Sequence, residues 1–234
     1  MAWAHVQGAA SGDFASSTTV SATFSSAVTN GDIVCGWCYW IPSQSGDPIA
    51  SITDNGTPSN TYNVIIFSNN GTLNQGFGMF WSNGTLSNGA TTVTVSFGST
   101  TMTDTRMIMD EFTPPAGTTS FGVDGTGSTT AYVNVVNGGA CNSGAWTTSD
   151  NGDLIYGGST NNTSANTIGS GFTLGTTLFA ENSEFEVQSS AGSANATWTN
   201  NSGSTANAYT GGFAIFALSA AATKDKQPMC LLGV

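Results

Sequence analysis

The acidic run Glu181-Asn-Ser-Glu184-Phe-Glu186-Val-Gln188 is the best catalytic constellation the sequence offers. On a strand, Glu184 and Glu186 fall on one face about 6.5–7 Å apart, and paired carboxyl groups are what glycoside hydrolysis requires. The pattern is short, however, and its next same-face position is Gln188, so it reads as a solvent-facing stripe. Asp110-Glu111 makes no better pair, because neighbouring strand residues face opposite ways. His5 is the only histidine, so a Ser-His-Asp triad would have to be built on it, and no Gly-x-Ser-x-Gly turn accompanies it. These residues predict no enzyme, no catalytic residue and no cofactor.

Binding chemistry has more material. Trp37, Tyr39, Trp40 and Trp81 are candidates for stacking on sugar rings. Trp37 and Tyr39 share one strand face and Cys38 and Trp40 the other, and one of those faces belongs to the core. Cys35-Gly-Trp-Cys38 lies in an apparent strand, not at the helix N-terminus that a redox Cys-x-x-Cys needs. A four-thiolate zinc site draws on two close pairs, whereas Cys141 and Cys230 stand far apart. Side chains three apart on a strand point to opposite faces, so the cysteines read as free thiols. Asp54-Asn55 and Asp150-Asn-Gly-Asp153 lack the twelve-residue calcium pattern, and such clusters make turns unaided. No metal site is expected.

The elements that must position these residues are strands. Long helices need Ala, Leu, Glu, Lys, Gln and Arg, yet Lys is found only at 224 and 226 and Arg only at 106. Thr, Val, Phe and Tyr fill the ordered-looking segments. Asn-Gly, the strongest short hairpin signal, punctuates them at Asn30, Asn55, Asn70, Asn83, Asn88, Asn137 and Asn151. Residues 18–24, 92–97 and 195–199 alternate apolar and hydroxyl side chains, as in a half-covered sheet. Residues 33–41, 62–67, 77–81, 107–112, 154–156 and 213–218 are continuously apolar and read as central strands. Together they predict an all-β chain, a two-sheet antiparallel β-sandwich of jelly-roll-like form. No fixed-period repeat or interdomain linker is evident, so residues 1–222 are expected to form one domain, with 200–207 as a long loop.

Charge narrows the function classes. Three Lys and Arg face fourteen Asp and Glu, for a net charge of −11, so the chain cannot neutralise a nucleic-acid backbone. Its most apolar stretch, residues 211–222, is too short to cross a bilayer. The first six residues, Met1 to Val6, have neither the basic region nor the apolar core of a signal peptide. After Ala222 the composition changes to a tail, residues 223–234, that holds both lysines and ends in Met229, Cys230, Leu231, Leu232, Gly233 and Val234. Met229, Cys230, Leu231, Leu232 and Val234 are candidate assembly residues.

Several motifs resemble one family. Ser51-Ile-Thr-Asp54-Asn-Gly56 with Asn60-Thr-Tyr62 looks like the "TD…GNTY" element of a β-sandwich family common in secreted bacterial proteins and bacteriophage genomes. Residues 88–97, 109–112, 124–125, 151–157, 171–174, 184–188, 197–198 and 214–217 match further pieces in order, covering the chain from residue 5 to about 220. The tail from Thr223 onward departs from the pattern. The resemblance implies a jelly-roll-like sandwich at an extracellular or virion location, and brings no catalytic residues. The expectation is a non-enzymatic structural virion protein of a bacteriophage: a capsid decoration, fibre or tail-surface component on the virion surface. Its partners are then itself and other virion proteins, without nucleic acid or membrane insertion. The alternative is a secreted adhesion or carbohydrate-binding module whose partner is a cell-surface glycan.

Overall fold

A computed structural model describes residues 3–11, 16–83, 86–87, 89–161, 163 and 166–219, which form strands and turns with no helix. Eight strands make the first half: β1 (Ala4–Ala10), β2 (Thr19–Thr23), β3 (Ile33–Ile41), β4 (Ser51–Asp54), β5 (Tyr62–Asn70), β6 (Gln75–Ser82), β7 (Thr92–Ser96) and β8 (Asp104–Thr113). They wind like a folded-back hairpin, β1 on β8, β2 on β7 and β3 on β6, all antiparallel. The products are an inner sheet, β1-β8-β3-β6-β5, and an outer sheet, β2-β7-β4. This is jelly-roll-like winding.

The second half repeats it. Its strands are β9 (Thr118–Thr126), β10 (Thr130–Val135), β11 (Ala140–Asn142), β12 (Trp146–Thr147), β13 (Leu154–Asn161), β14 (Thr167–Ile168), β15 (Thr173–Leu178), β16 (Glu181–Val187), β17 (Ser193–Ala194), β18 (Thr197–Thr199) and β19 (Ala206–Ser219). Its inner sheet is β10-β19-β13-β16-β15, with β9 also beside β19, and its outer sheet is β11-β18-β14, flanked by the small pair β12-β17. With β9 and β10 standing where β1 stands, the two strand orders are the same. Their registers agree as well. Ile33 pairs with Phe112 as Leu154 pairs with Ile215, and Cys35 pairs with Trp81 as Tyr156 pairs with Phe185. In the outer sheets Ala22 pairs with Val93 as Cys141 pairs with Trp198. Each copy opens its central strand with the same turn, Asn30-Gly31-Asp32 and Asn151-Gly152-Asp153, in which the glycine takes a positive φ of 99° or 83°. A repeat that the sequence does not display at a fixed period is therefore present in three dimensions.

The two inner sheets face each other, so the expected sandwich is the middle of a four-layer stack. Alternation along β3 serves both of its neighbours: Ile33, Cys35, Trp37 and Tyr39 enter the core between the inner sheets, while Val34, Cys38 and Trp40 enter the core under β2, β7 and β4. Behind the second inner sheet, Trp198 and Trp146 pack under the remaining small sheets. Burial on both faces explains why β3, β6 and β13 read as continuous apolar runs.

The inner sheets meet with equivalent faces, so the halves are related by a pseudo-twofold axis running along β3 and β13. In such an arrangement a residue on the axis touches its own counterpart. Trp37 and Gly158 are counterparts, since Trp37 pairs with Met79 as Gly158 pairs with Ser183. The Trp37 indole fills the space over Gly158, where an added Cβ would lie 2.7 Å from the ring Cγ. Two tryptophans would clash there, and the glycine makes room for one.

Two expectations need correction. Residues 62–67 were expected in a central strand, but β5 is the edge of its sheet and is only half-buried, with Phe67 42% exposed. Trp37, Trp40 and Trp81 are interior, at 0%, 0% and 4% exposure, because both faces of β3 and β6 are covered. They have no free face on which a sugar could stack. The tail residues Met229, Cys230, Leu231, Leu232 and Val234 lie outside the described residues.

Candidate functional site

The chemistry-bearing side chains gather at the seam between the inner sheets. On the side where β15 lies over β1, the Asp110 carboxylate is fully buried. Its Oδ1 accepts from Thr176 Oγ1 at 2.7 Å and lies 2.9 Å from His5 Nε2; its Oδ2 accepts from Ser183 Oγ at 2.6 Å and Tyr156 OH at 2.9 Å. Four partners fill the lone-pair sites of a carboxylate. Burial, with the Asp110 charge beside it, holds the Tyr156 hydroxyl and the Cys35 thiol well above their ordinary pKa values. The knot contains Ser, His and Asp but is not a nucleophilic triad, because Ser183 donates to Asp110 rather than to the imidazole. What it does is cross-link the halves: Asp110 and His5 come from the first, Tyr156, Thr176 and Ser183 from the second.

One strand-step along the seam, Arg106 pairs with Glu181 across the halves and with Asp104 beside it at 3.1 Å. Its guanidinium carbon sits 5.5 Å from the centre of the Tyr39 ring. Tyr39, Asp104 and Arg106, with Gln75, Thr160, Asn161, Asn207 and Tyr209, line a cleft of about 190 Å³ at the end of the pseudo-twofold axis. The register identifies the counterparts of Arg106 and Glu181 as Tyr209 and Phe77, which stack with ring centres 6.1 Å apart. Those of Asp110 and Ser183 are Phe213 and Met79, both in the apolar core. The same fold position is thus filled by an ion pair or polar knot on one side and by apolar packing on the other. Buried charge pairs and well-packed apolar groups are often energetically interchangeable, so this chemistry reads as structure.

At the opposite end, each half carries an acid pair at its repeated turn. In the first half, burial and the adjacent Glu111 carboxylate push Asp32 up to about 6, against a hydrogen bond from Thr113. Glu111 is itself sealed, accepting from Gln7 Nε2 at 2.6 Å and Thr29 N at 2.7 Å. In the second half, burial and the facing Asp124 push Asp153 up to about 7. Asp124 stays below its usual range although burial opposes this, because Ser149 and Asp150 donate to it. At neutral pH Asp153 is poised between its protonated and ionised forms.

The sequence candidates fall into place around this seam. Glu184 and Glu186 share a face of β16, but that face looks away from the seam, under the outer sheet. Glu184 is fully buried and receives the backbone N–H groups of Gly169 at 2.8 Å and Thr197 at 2.9 Å; burial still pushes it up to about 8. It ties the outer sheet to the inner one and faces no substrate space. Tyr39 does reach the cleft wall, although it is 5% exposed and the Arg106 guanidinium already lies over its ring. Asp54 closes its own turn, accepting from Gly56 N, Asn60 and the Tyr62 hydroxyl. Cys35, Cys38 and Cys141 are free and buried, Cys35 and Cys38 in different cores, so no bridge joins them. The Asp110 knot and the acid pairs went unread in the sequence, because their partners are dozens of residues apart. Comparison with family models, with curated proteins and with solved structures found no match, and the reading of the site rests on its geometry.

Proposed function

We propose that the protein is a non-enzymatic structural component of a bacteriophage particle, a capsid decoration, fibre or tail-surface element held by contacts with itself and with other virion proteins. What supports this reading is where the reactive groups are spent. The histidine, the arginine and the most deeply buried acids bind layer to layer, leaving no nucleophile–base pair facing a cleft among the described residues. The result is a stiff four-layer block that shows Ser, Thr, Asn and Gly to solvent, with scattered exposed apolar residues such as Val133, Val136 and Phe179. The test is mass spectrometry of density-gradient-purified particles from a lysate that contains the protein. Co-sedimentation in multiple copies is expected; recovery only in the soluble fraction overturns the proposal.

One observation favours the secreted, glycan-binding alternative: the seam cleft, whose mixed Asn, Gln, Tyr and Arg lining and size suit one sugar unit. A glycan array decides it. Binding that an Asp104→Asn substitution weakens would move the assignment to that reading.

A further inference from the structure

The seam cleft holds one charge more than its architecture uses. Arg106 is engaged twice, by Glu181 from the second half and by Asp104 two residues back on its own strand. Two carboxylates against one guanidinium leave the wall one negative charge in excess. Glu181 is fully buried and also accepts from Thr160 Oγ1 at 3.2 Å and Ala180 N at 3.1 Å, so its place is structural. Asp104 is held more loosely. Its Oδ2 meets Arg106, its Oδ1 is covered and has no hydrogen-bond partner, and the side chain stays 20% exposed at the cleft. The register gives its counterpart: Thr105 pairs with Trp40 as Ala208 pairs with Asn161, so the preceding residues, Asp104 and Asn207, correspond. The second half thus fills the same position with a neutral amide, and the fold does not require the Asp104 charge.

Tyr39 adds an independent sign. It lines the cleft at 5% exposure, and its hydroxyl has no hydrogen-bond partner among the described residues. Burial, with the Asp104 charge nearby, holds that hydroxyl well above its ordinary pKa, so it remains a donor. A buried polar group without a partner costs stability unless something in the cleft bonds to it.

The geometry points to an amino sugar with a free amine as the occupant of this cleft, its ammonium against Asp104 and its hydroxyls against Tyr39 and the Gln75 amide. An ammonium cancels the excess charge and brings the N–H donor that Asp104 lacks, whereas a neutral sugar leaves the charge standing. A volume of about 190 Å³ admits one hexose-sized ring. The lining of amide, hydroxyl and phenol groups suits a hydroxylated body rather than an alkyl chain. A chain of net charge −11 attracts cations over its whole surface, so the mark of this site is selectivity rather than attraction. The inference deepens the glycan-binding reading and rests on the cleft being a binding site; residence on a particle neither supports nor opposes it.

Titration of the full chain, followed by backbone amide chemical shifts at about pH 6, where a sugar amine is protonated, tests it with glucosamine, glucose, N-acetylglucosamine and methylammonium. Glucosamine should bind about tenfold or more tightly than either neutral sugar, with shifts centred on Tyr39, Thr160 and Asn207. Asp104→Asn, which copies the counterpart residue, should bring glucosamine to within about twofold of glucose. A preference that survives this substitution comes from the general negative field and overturns the inference. So does methylammonium binding as tightly as glucosamine, which would leave a bare cation site. Glucose binding as tightly as glucosamine also rejects the amine, yet leaves the glycan-binding reading in place. No shift at the cleft with any probe removes both. The comparison of probes on the unaltered chain decides the matter even where Asp104→Asn does not fold.

Discussion

The acid pair at the second repeated turn predicts an inverted pH dependence of stability. Asp153 is fully buried against Asp124 and holds its proton up to about pH 7, whereas the unfolded chain releases it near 3.8. Between those values the folded state binds the extra proton, so the stability it contributes is complete below about pH 4 and is lost as pH rises through 7. The difference of about three pKa units corresponds to at most about 4 kcal/mol at 1.36 kcal/mol per unit. Asp153→Asn keeps the shape and stays neutral, so it mimics the protonated acid at every pH. It should leave stability nearly unchanged at pH 3 and raise it by about 2–4 kcal/mol at pH 8.5, roughly 5–15 °C in Tm for a chain of this length. Thermal unfolding followed by circular dichroism at half-unit pH steps measures both curves. Parallel curves for the two proteins would refute the reasoning, as would a carboxyl carbon resonance of Asp153 that titrates near pH 4.

Asp32, its counterpart, should behave alike on a smaller scale: Asp32→Asn flattens the pH profile between about 4 and 6 by up to about 3 kcal/mol, read in the same experiment. Arg106→Met strands the buried Glu181 and should cost about 3–5 kcal/mol in urea unfolding, while Arg106→Met with Glu181→Leu recovers most of the loss, because the counterpart position is held by the Tyr209–Phe77 stack. Gly158→Ala drives a methyl into the Trp37 ring and should destabilise by about 1–3 kcal/mol; a neutral result would mean that the seam yields where it is drawn tight. Iodoacetamide should label Cys35, Cys38 and Cys141 only after unfolding, since burial raises all three thiols and removes them from reagent; native-state labelling of any of them, seen by peptide mass, contradicts the packing.

The internal repeat changes what the buried chemistry means. Read alone, His5, Asp110 and Ser183 look like parts of a hydrolase, and Arg106 with Glu181 like a ligand clamp. Their counterparts, Phe213 with Met79 and Tyr209 with Phe77, occupy the same places in the other half with no charged group, and the one hydroxyl among them, on Tyr209, donates to the Gln75 carbonyl. A duplicated fold thus supplies an internal control. It shows which polar groups the architecture can do without, and these are among them.

Much of the fold was legible in the residues. Thr19–Thr23 and Thr92–Ser96 alternate, and they are the half-covered strands of an outer sheet; Ile33–Ile41 and Leu154–Asn161 do not alternate in polarity, and they are buried on both faces. Tyr62–Phe67 misled because a bulged edge strand shares the composition of a central one. The repeat left its trace in Asn30-Gly-Asp-Ile-Val-Cys-Gly36 and Asn151-Gly-Asp-Leu-Ile-Tyr-Gly157. It had no period to find, because the loops differ in length: counterparts are 121 residues apart at Ile33 and Leu154 (154 − 33) but 103 apart at Phe112 and Ile215 (215 − 112).

Strand identity is thus a local property, set by side-chain period and turn chemistry within about ten residues, and the sequence alone determined it. Which face of Trp37 and Trp40 is covered, which acids lie against one another and which edge stays open are decided by residues that can be more than a hundred positions away. Only the tertiary structure fixes them, because burial and hydrogen bonding depend on what lies opposite rather than on what comes next.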